Sequence, residues 1–259
     1  MLKKRLIFTL LYNDGGFMLS RNFRLQRAGD IVWLLKNYKF NKISFSIDEL
    51  IILDVTRRER NIKKFCDHIK MIVKECFVPV AIGGGITSLN HARILMNSGA
   101  DKLVVNSALI KSPPLVNELV GLYGSQCVVA SVDFKKEQGE FVSYIENGTK
   151  KVEMEFIDYL KYILNLGVGE IYLNSMDRDG TGHGYLTDIL DEISNFVTIP
   201  IIMAGGAGNW QHLLEGLKHN MIDAVATANL FNFIGQGFPN ARKKLIEIGI
   251  NLARWYTMS

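Results

Sequence analysis

Two stretches of this chain set an apolar run against a glycine turn, and aspartates close several other apolar runs. Residues 199–229 read IPIIMAGGAG, then the amphipathic run NWQHLLEGLKHNM, then IDAVATAN. The order is strand, glycine turn, helix, strand. A turn without side chains at a helix N-terminus lets backbone N–H groups close on a phosphate, and the helix dipole favours its negative charge. The simpler reading is turn geometry alone. This unit has a twin, however. Residues 79–107 read PVAIGGG, a helical run and ADKLVVNS, and Gly84 to Asp101 and Gly206 to Asp223 are both 17 residues apart. Two copies predict two phosphate turns, Gly83–Gly85 and Gly205–Gly208 with Ala207 inside the second.

The carboxylates sort by strand end. Asp133 ends the apolar run 126–133, Asp54 stands near the end of 47–55, and Asp177, Asp179 and Thr181 follow 170–174. Asn106 and Ser107 end one strand of the first unit; Thr227, Ala228 and Asn229 end the last strand of the second. A carboxylate closing an apolar strand is costly unless solvated or paired, so each of these aspartates is a candidate acid or base. Helix capping or loop solvation is the competing reading. The strand starts carry a second set: Arg5, Glu49, Lys102 and Glu170. Two cations and two anions at one end of a barrel make either scattered surface salt bridges, each worth about 0–1 kcal/mol, or a ring over the barrel axis. The residues themselves leave both open.

The elements that must position these groups alternate eight times, each strand short and apolar. The pattern predicts parallel strands with helical crossovers, and eight such units in a chain of this length predict one closed (β/α)8 barrel. IDELIILDVTRRE echoes VGEIYLNSMDRDG, and Leu6–Leu11 parallels Val128–Asp133, so the barrel divides into similar halves at about 1–124 and 125–253. The first strand runs into the turn Asn13–Gly16. Asp30 caps a helix to about Tyr38, and another helix ends near Glu75. Pro113 opens the next, and the turn Asn147-Gly148 within 135–151 predicts a hairpin. Further helices are expected over 154–166, 185–196 and 239–248.

Bulk properties narrow the function. The 259 residues are 48% hydrophobic with a net charge of +4, enough for one barrel-sized domain. The basic residues are scattered without aromatic interleaving, which argues against nucleic acid as a partner. Cys66, Cys76 and Cys127 have no metal-like spacing and give no disulfide framework; they read as reduced thiols of a cytoplasmic protein. The five histidines show no ligand spacing, so neither metal nor cofactor is expected. No apolar run approaches 18 residues, and MLKKRLIFTLLYNDGG reads as a first strand, so no membrane partner is expected.

Over nearly its whole length the chain resembles the cyclase subunit of imidazole glycerol phosphate synthase. The motifs that carry the likeness are KKRLI, NDGG, the DEL–LD run, GGGI, ADK–VN, GSQ–VV–S–D, GEI–L–S–DRDGT–GY and GGAG. The resemblance implies a (β/α)8 barrel that receives ammonia from a glutaminase at its floor. The ammonia attacks a bis-phosphorylated ribulose-type substrate at the mouth. It implies that Gly83–Gly85 with Asn106 and Ser107 hold one phosphate and that Gly205–Gly208 with Thr227, Ala228 and Asn229 hold the other. It also implies that Arg5, Glu49, Lys102 and Glu170 are the ammonia gate and that Asp101 faces the glutaminase.

The departures are specific. The family uses two catalytic aspartates, ending strands one and five; Asp133 stands at the second, but Leu11 occupies the first, and Leu19 replaces a lysine of the loop after strand one. Leucine can neither donate nor accept a proton, and losing one member of an acid–base pair removes roughly 10²–10⁴-fold of rate. The combination resembles a side branch of the family that accompanies a glutaminase and a sugar amidotransferase. That branch converts an N-acetyl to an acetamidino group in bacterial surface polysaccharide or flagellin-sugar pathways. Its first strand is leucine-rich and runs into a GG turn, as LLYNDGG does here. Three functions follow: an ammonia-delivering subunit for acetamidino modification, a histidine-pathway cyclase using Asp133 with a substitute such as Asp14 or Asp54, and a non-catalytic phosphosugar-binding scaffold.

Overall fold

The computed structural model describes residues 3–254. Its eight parallel strands are β1 (Arg5–Asn13), β2 (Glu49–Asp54), β3 (Val80–Gly83), β4 (Lys102–Val105), β5 (Val128–Glu137), β6 (Glu170–Ser175), β7 (Ile201–Ala204) and β8 (Ala224–Thr227). Each pairs in parallel with the next, and β8 returns to β1 with Arg5 opposite Ala224. The barrel is closed, as the alternation of apolar runs requires. Its strands are apolar on both faces because one face fills the barrel and the other packs against the helical ring. Ile7, Ile51, Val104, Val129 and Ile202 form the inner cluster, while Leu6, Phe8, Leu50, Leu103 and Val128 belong to the outer one.

The helices begin where capping residues stand. Besides the single turns Phe40–Ile43 and Ala108–Lys111, they are α1 (Ile31–Asn37), α2 (Ile62–Val73), α3 (Leu89–Met96), α4 (Pro113–Tyr123), α5 (Phe156–Asn165), α6 (Ile189–Ile193), α7 (Trp210–Lys218) and α8 (Gly237–Glu247). Asp30 accepts from the Trp33 N–H, Asn61 from Lys64, Ser88 from His91 and Asn209 from His212, and proline opens α4.

A second device recurs at the floor. The aspartate before an even strand accepts the backbone N–H of the preceding odd strand: Asp48 from Leu6 (2.8 Å), Asp101 from Val80 (2.8 Å) and Asp223 from Ile201 (3.0 Å). Before β6 the place falls to Gly169, where a Cβ would run into the Ser125 carbonyl.

Four expectations change. The segment after β1 is a hairpin, Gly16–Arg21 paired with Arg24–Asp30, and not only a turn. Its outer strand reads RLQRAGD, too polar to signal a strand, and the two-residue Asn22–Phe23 turn, with both φ positive, determines it instead. β5 runs on to Glu137 because a second hairpin partner, Glu140–Ile145, pairs with its extension; the expected Asn147-Gly148 turn then returns the chain to Lys150–Lys151. Residues 185–196 are helical only over Ile189–Ile193, since Tyr185 is drawn inward, its hydroxyl donating to the Ala226 carbonyl. Finally, α7 is nine residues against eight in α3. The caps Ser88 and Asn209 correspond, so Gly85 and not Gly84 is the counterpart of Gly206.

Candidate functional site

The floor, the axis and the mouth of the barrel each hold one group of polar residues. At the floor, the first residues of β1, β2, β4 and β6 meet. Arg5 bonds Glu49 (2.9 Å) and Glu170, and Lys102 bonds Glu49 (2.9 Å) and Glu170 (3.0 Å). The four alternate in sign around a closed ring. Both glutamates are buried, and burial pushes the Glu49 carboxyl up against the pull of Lys102. The reading of scattered surface pairs is therefore wrong geometrically; the four residues are one network. Asp101 stands exposed beside it, its side chain also serving the Val80 N–H.

Above the ring the axis is apolar, lined by Ile7, Ala81, Val129 and Ile202, and then crossed by a hydrogen bond between Thr9 and Tyr172 (3.3 Å). At the mouth Asp133 faces inward from β5. The Asn174 amide donates to its Oδ1 (3.0 Å) and the Asn106 amide to its Oδ2 (3.2 Å). Asp133 is only 8% exposed, and burial raises its carboxyl to about 7 despite the Asn174 bond, with the charge of Asp179 adding to the rise. A carboxyl poised near neutrality can take up and release a proton at working pH. The opposite wall is apolar: Leu11 pairs with Leu53 on β2, and with Met18 on the hairpin. Leu19 is half-buried against the outer core and brings no charge to the mouth.

The other aspartates are engaged in framework bonds. Asp54 accepts from the Thr56 N–H (2.9 Å) and lies 3.7 Å from the Arg60 guanidinium; burial raises its carboxyl. Asp177 accepts from Lys136 N–H (2.8 Å), tying the loop after β6 to the extension of β5. Asp179 binds the hairpin, accepting from Ser20 Oγ (2.5 Å) and Phe23 N–H (2.9 Å). Thr181 donates to the Arg178 carbonyl within its own turn (2.8 Å).

Both glycine turns follow their strands at the mouth. Packing alone demands glycine in both turns: a Cβ would strike the Val104 carbonyl at Gly83, the Asp54 backbone at Gly84, the Ser175 carbonyl at Gly205 and the Gly184 carbonyl at Gly206, and Gly84, Gly205 and Gly206 also have φ in the left-handed region. The second turn is knitted to the end of β8, with Thr227 Oγ1 donating to the Ala207 carbonyl (3.2 Å), Asn229 N–H to Thr227 Oγ1 (3.3 Å) and Asn232 to the Gly208 carbonyl (2.7 Å). Ala228 lies between the two. The first turn, Gly83–Gly85, borders a cavity of about 80 Å³ lined by Asp54, Arg60, Phe65 and His91. There Asn106 turns its amide to Asp133, and Ser107 accepts from the Glu146 N–H (3.1 Å).

Sequence reasoning missed Asn174, Thr9, Tyr172 and the hairpin. Asn174 and Tyr172 lie two residues apart on β6, at the inward parity of Glu170, so the alternation rule was the available signal. Among the described residues, no cluster of His, Cys, Asp or Glu could hold a metal ion, and no helix is long and apolar enough to cross a membrane.

Comparison with known proteins agrees with this geometry. The family model described as histidine biosynthesis protein matches residues 20–235. A Parasynechococcus marenigrum protein, provisionally named imidazole glycerol phosphate synthase subunit hisF2, is 45% identical over 260 aligned residues, covering all of this chain and 97% of the relative. Imidazole glycerol phosphate synthase subunits HisF are 37% identical in Flavobacterium johnsoniae, over 90% of this chain and 92% of theirs, and 37% identical in Chlorobium limicola, over 96% and 98%. A match of this extent, on a closed eightfold barrel with paired glycine turns, places the chain in the histidine biosynthesis protein family, among its HisF-like members.

Proposed function

We propose that this barrel receives ammonia at its floor from a glutaminase subunit and delivers it at its mouth, where one carboxyl, Asp133, handles the proton. The observation that carries the reading is the alignment of the four-membered ion ring, an apolar stretch of axis and Asp133. Ammonia released at the ring meets no polar competitor through the apolar layer. On attacking an electrophilic carbon its nitrogen becomes positively charged and must lose a proton, for which Asp133, near neutrality, is the acceptor. Gly83–Gly85 and Gly205–Gly208, with Ser107 and Thr227–Asn229, are the proposed seats for a phosphorylated ligand, and Asp101 belongs to the glutaminase-facing surface. The arrangement supports a cyclase-like amidotransferase subunit, and the chain's cytoplasmic placement belongs to the same proposal.

The acceptor is proposed to be an N-acetyl sugar destined for an acetamidino group, activated by a separate sugar amidotransferase. The Leu11–Leu53 wall favours this reading over ring closure of a bis-phosphorylated ribulose-type intermediate, because ring closure needs proton transfer at two separate atoms. The second reading, histidine-pathway ring closure, draws on the same floor, turns and Asp133. The test is ring closure on that intermediate with saturating ammonium salt, beside complex formation and stimulation of a co-encoded glutaminase. Turnover at ordinary enzyme rates rejects the amidino reading. Absence of both complex and stimulation rejects ammonia delivery itself.

A further inference from the structure

Thr9 and Tyr172 are polar groups that the proposed chemistry does not use. Thr9 is 1% exposed and Tyr172 4%. They come from β1 and β6, which are not neighbours: β7 and β8 separate them around the barrel. Their 3.3 Å hydrogen bond therefore spans the interior. Layering in such barrels takes four inward residues from alternate strands. Tyr172 rises from the layer of Ile51 and Val104, and its hydroxyl reaches the next, where Thr9 sits with Gly83, Ser131 and Ala204. The large ring is housed because its neighbours above are small. This bar lies in the layers between the ion ring and Asp133.

We propose that the Tyr172–Thr9 bond is a second closure of the axial conduit, a waist that governs passage of a small uncharged amine between the floor ring and the mouth. The inference rests on the ammonia-delivery reading above. The bar selects for an uncharged amine. A cation arriving from below would leave the ring's carboxylates for an apolar layer with no counter-charge, whereas ammonia loses little. At the bar, a neutral amine can hydrogen-bond the phenol in place of Thr9, so one hydrogen bond is exchanged for another as the ring yields. Tyr172 is thus a positioning residue and touches no reacting carbon.

The test uses the whole chain in complex with its glutaminase and reads the conduit in reverse. Hydroxylamine admitted from the mouth captures the glutamyl thioester of the glutaminase as γ-glutamyl hydroxamate, with water giving glutamate instead; the ratio of the two reports permeability without any sugar acceptor. Tyr172→Phe and Thr9→Val each remove the bond while nearly preserving volume. Each is expected to raise the ratio about fivefold, the shift that follows when one net hydrogen bond no longer holds the ring closed. The double variant is expected to do no more than either alone, and glutamine KM to stay unchanged. A ratio equal to wild type in both single variants, with the complex intact and the glutaminase stimulated, overturns the waist. A purely structural role would lower stability without moving the ratio. If no complex forms with wild-type chain, it is the ammonia-delivery reading that fails.

Discussion

Leu11 faces Leu53 across β1 and β2 in the register in which Asp133 faces Asn174 across β5 and β6. In the first half of the barrel leucines stand at both positions, so it carries neither an acid nor an amide to orient one. An aspartate restored alone would sit against Leu53 without an amide donor.

Ring closure with ammonium salt is accordingly expected to respond weakly to Leu11→Asp and more strongly to Leu11→Asp with Leu53→Asn. The gain expected for a positioned acid–base partner is about 10²-fold or more. Steady-state turnover of the two variants checks this, and equal activity would show that Asn174 has no orienting role to copy.

Asp133 makes stability depend on pH. Its carboxyl is raised from 3.8 to about 7 by burial, so the folded state holds the proton more tightly than the unfolded chain. That contribution is complete below about pH 4 and disappears as pH rises through 7, by about 4 kcal/mol at most. Glu49, Asp54 and Asp179 are raised in the same direction, which makes a matched variant necessary. Urea unfolding is expected to show a smaller loss between pH 4.5 and 7.5 in Asp133→Asn than in wild type. A carbon-13 titration of the Asp133 carboxyl should find its midpoint near neutrality.

The floor ring should be asymmetric in its tolerance. Lys102→Ala leaves Glu49 and Glu170 buried with Arg5 as their shared partner, and is expected to destabilise by about 3–5 kcal/mol. Glu49→Gln should cost less, about 1–2 kcal/mol, because Glu49 Oε1 already has no hydrogen-bond partner and burial disfavours its charge. Thermal unfolding of the two variants distinguishes these outcomes.

The hairpin over the mouth is latched to the loop after β6. Ser20 and Phe23 bind Asp179, and the Asn22 amide donates to the carbonyls of Met176 (3.1 Å) and Asp177 (3.0 Å). At Gly180 a Cβ would collide with the Ser20 carbonyl. Asp179→Asn and Gly180→Ala are expected to speed amide hydrogen exchange over residues 16–30 while the barrel strands keep their protection. Unchanged exchange there would show that the latch is held by other contacts.

Much of this architecture is local information. Apolar runs of strand length, caps such as Asp30 and Ser88, and Pro113 at a helix start act over a few residues, so the order of elements and hence the barrel could be read directly. The parity of a strand likewise places Asp133 at the mouth and Arg5, Glu49, Lys102 and Glu170 at the floor. What the residues alone left open is whether groups far apart in the chain touch. Arg5 and Glu170 are 165 positions apart, and only closure of the sheet turns four strand starts into one ring. The same closure lays Tyr172 against Thr9 and brings the Asn106 amide to Asp133. The hairpin after β1 escaped notice because its outer strand is held by backbone pairing and its turn by Asp179, neither of which leaves an apolar signature in the sequence. Periodicity records which face of an element is buried; the partner across the barrel is decided by tertiary packing.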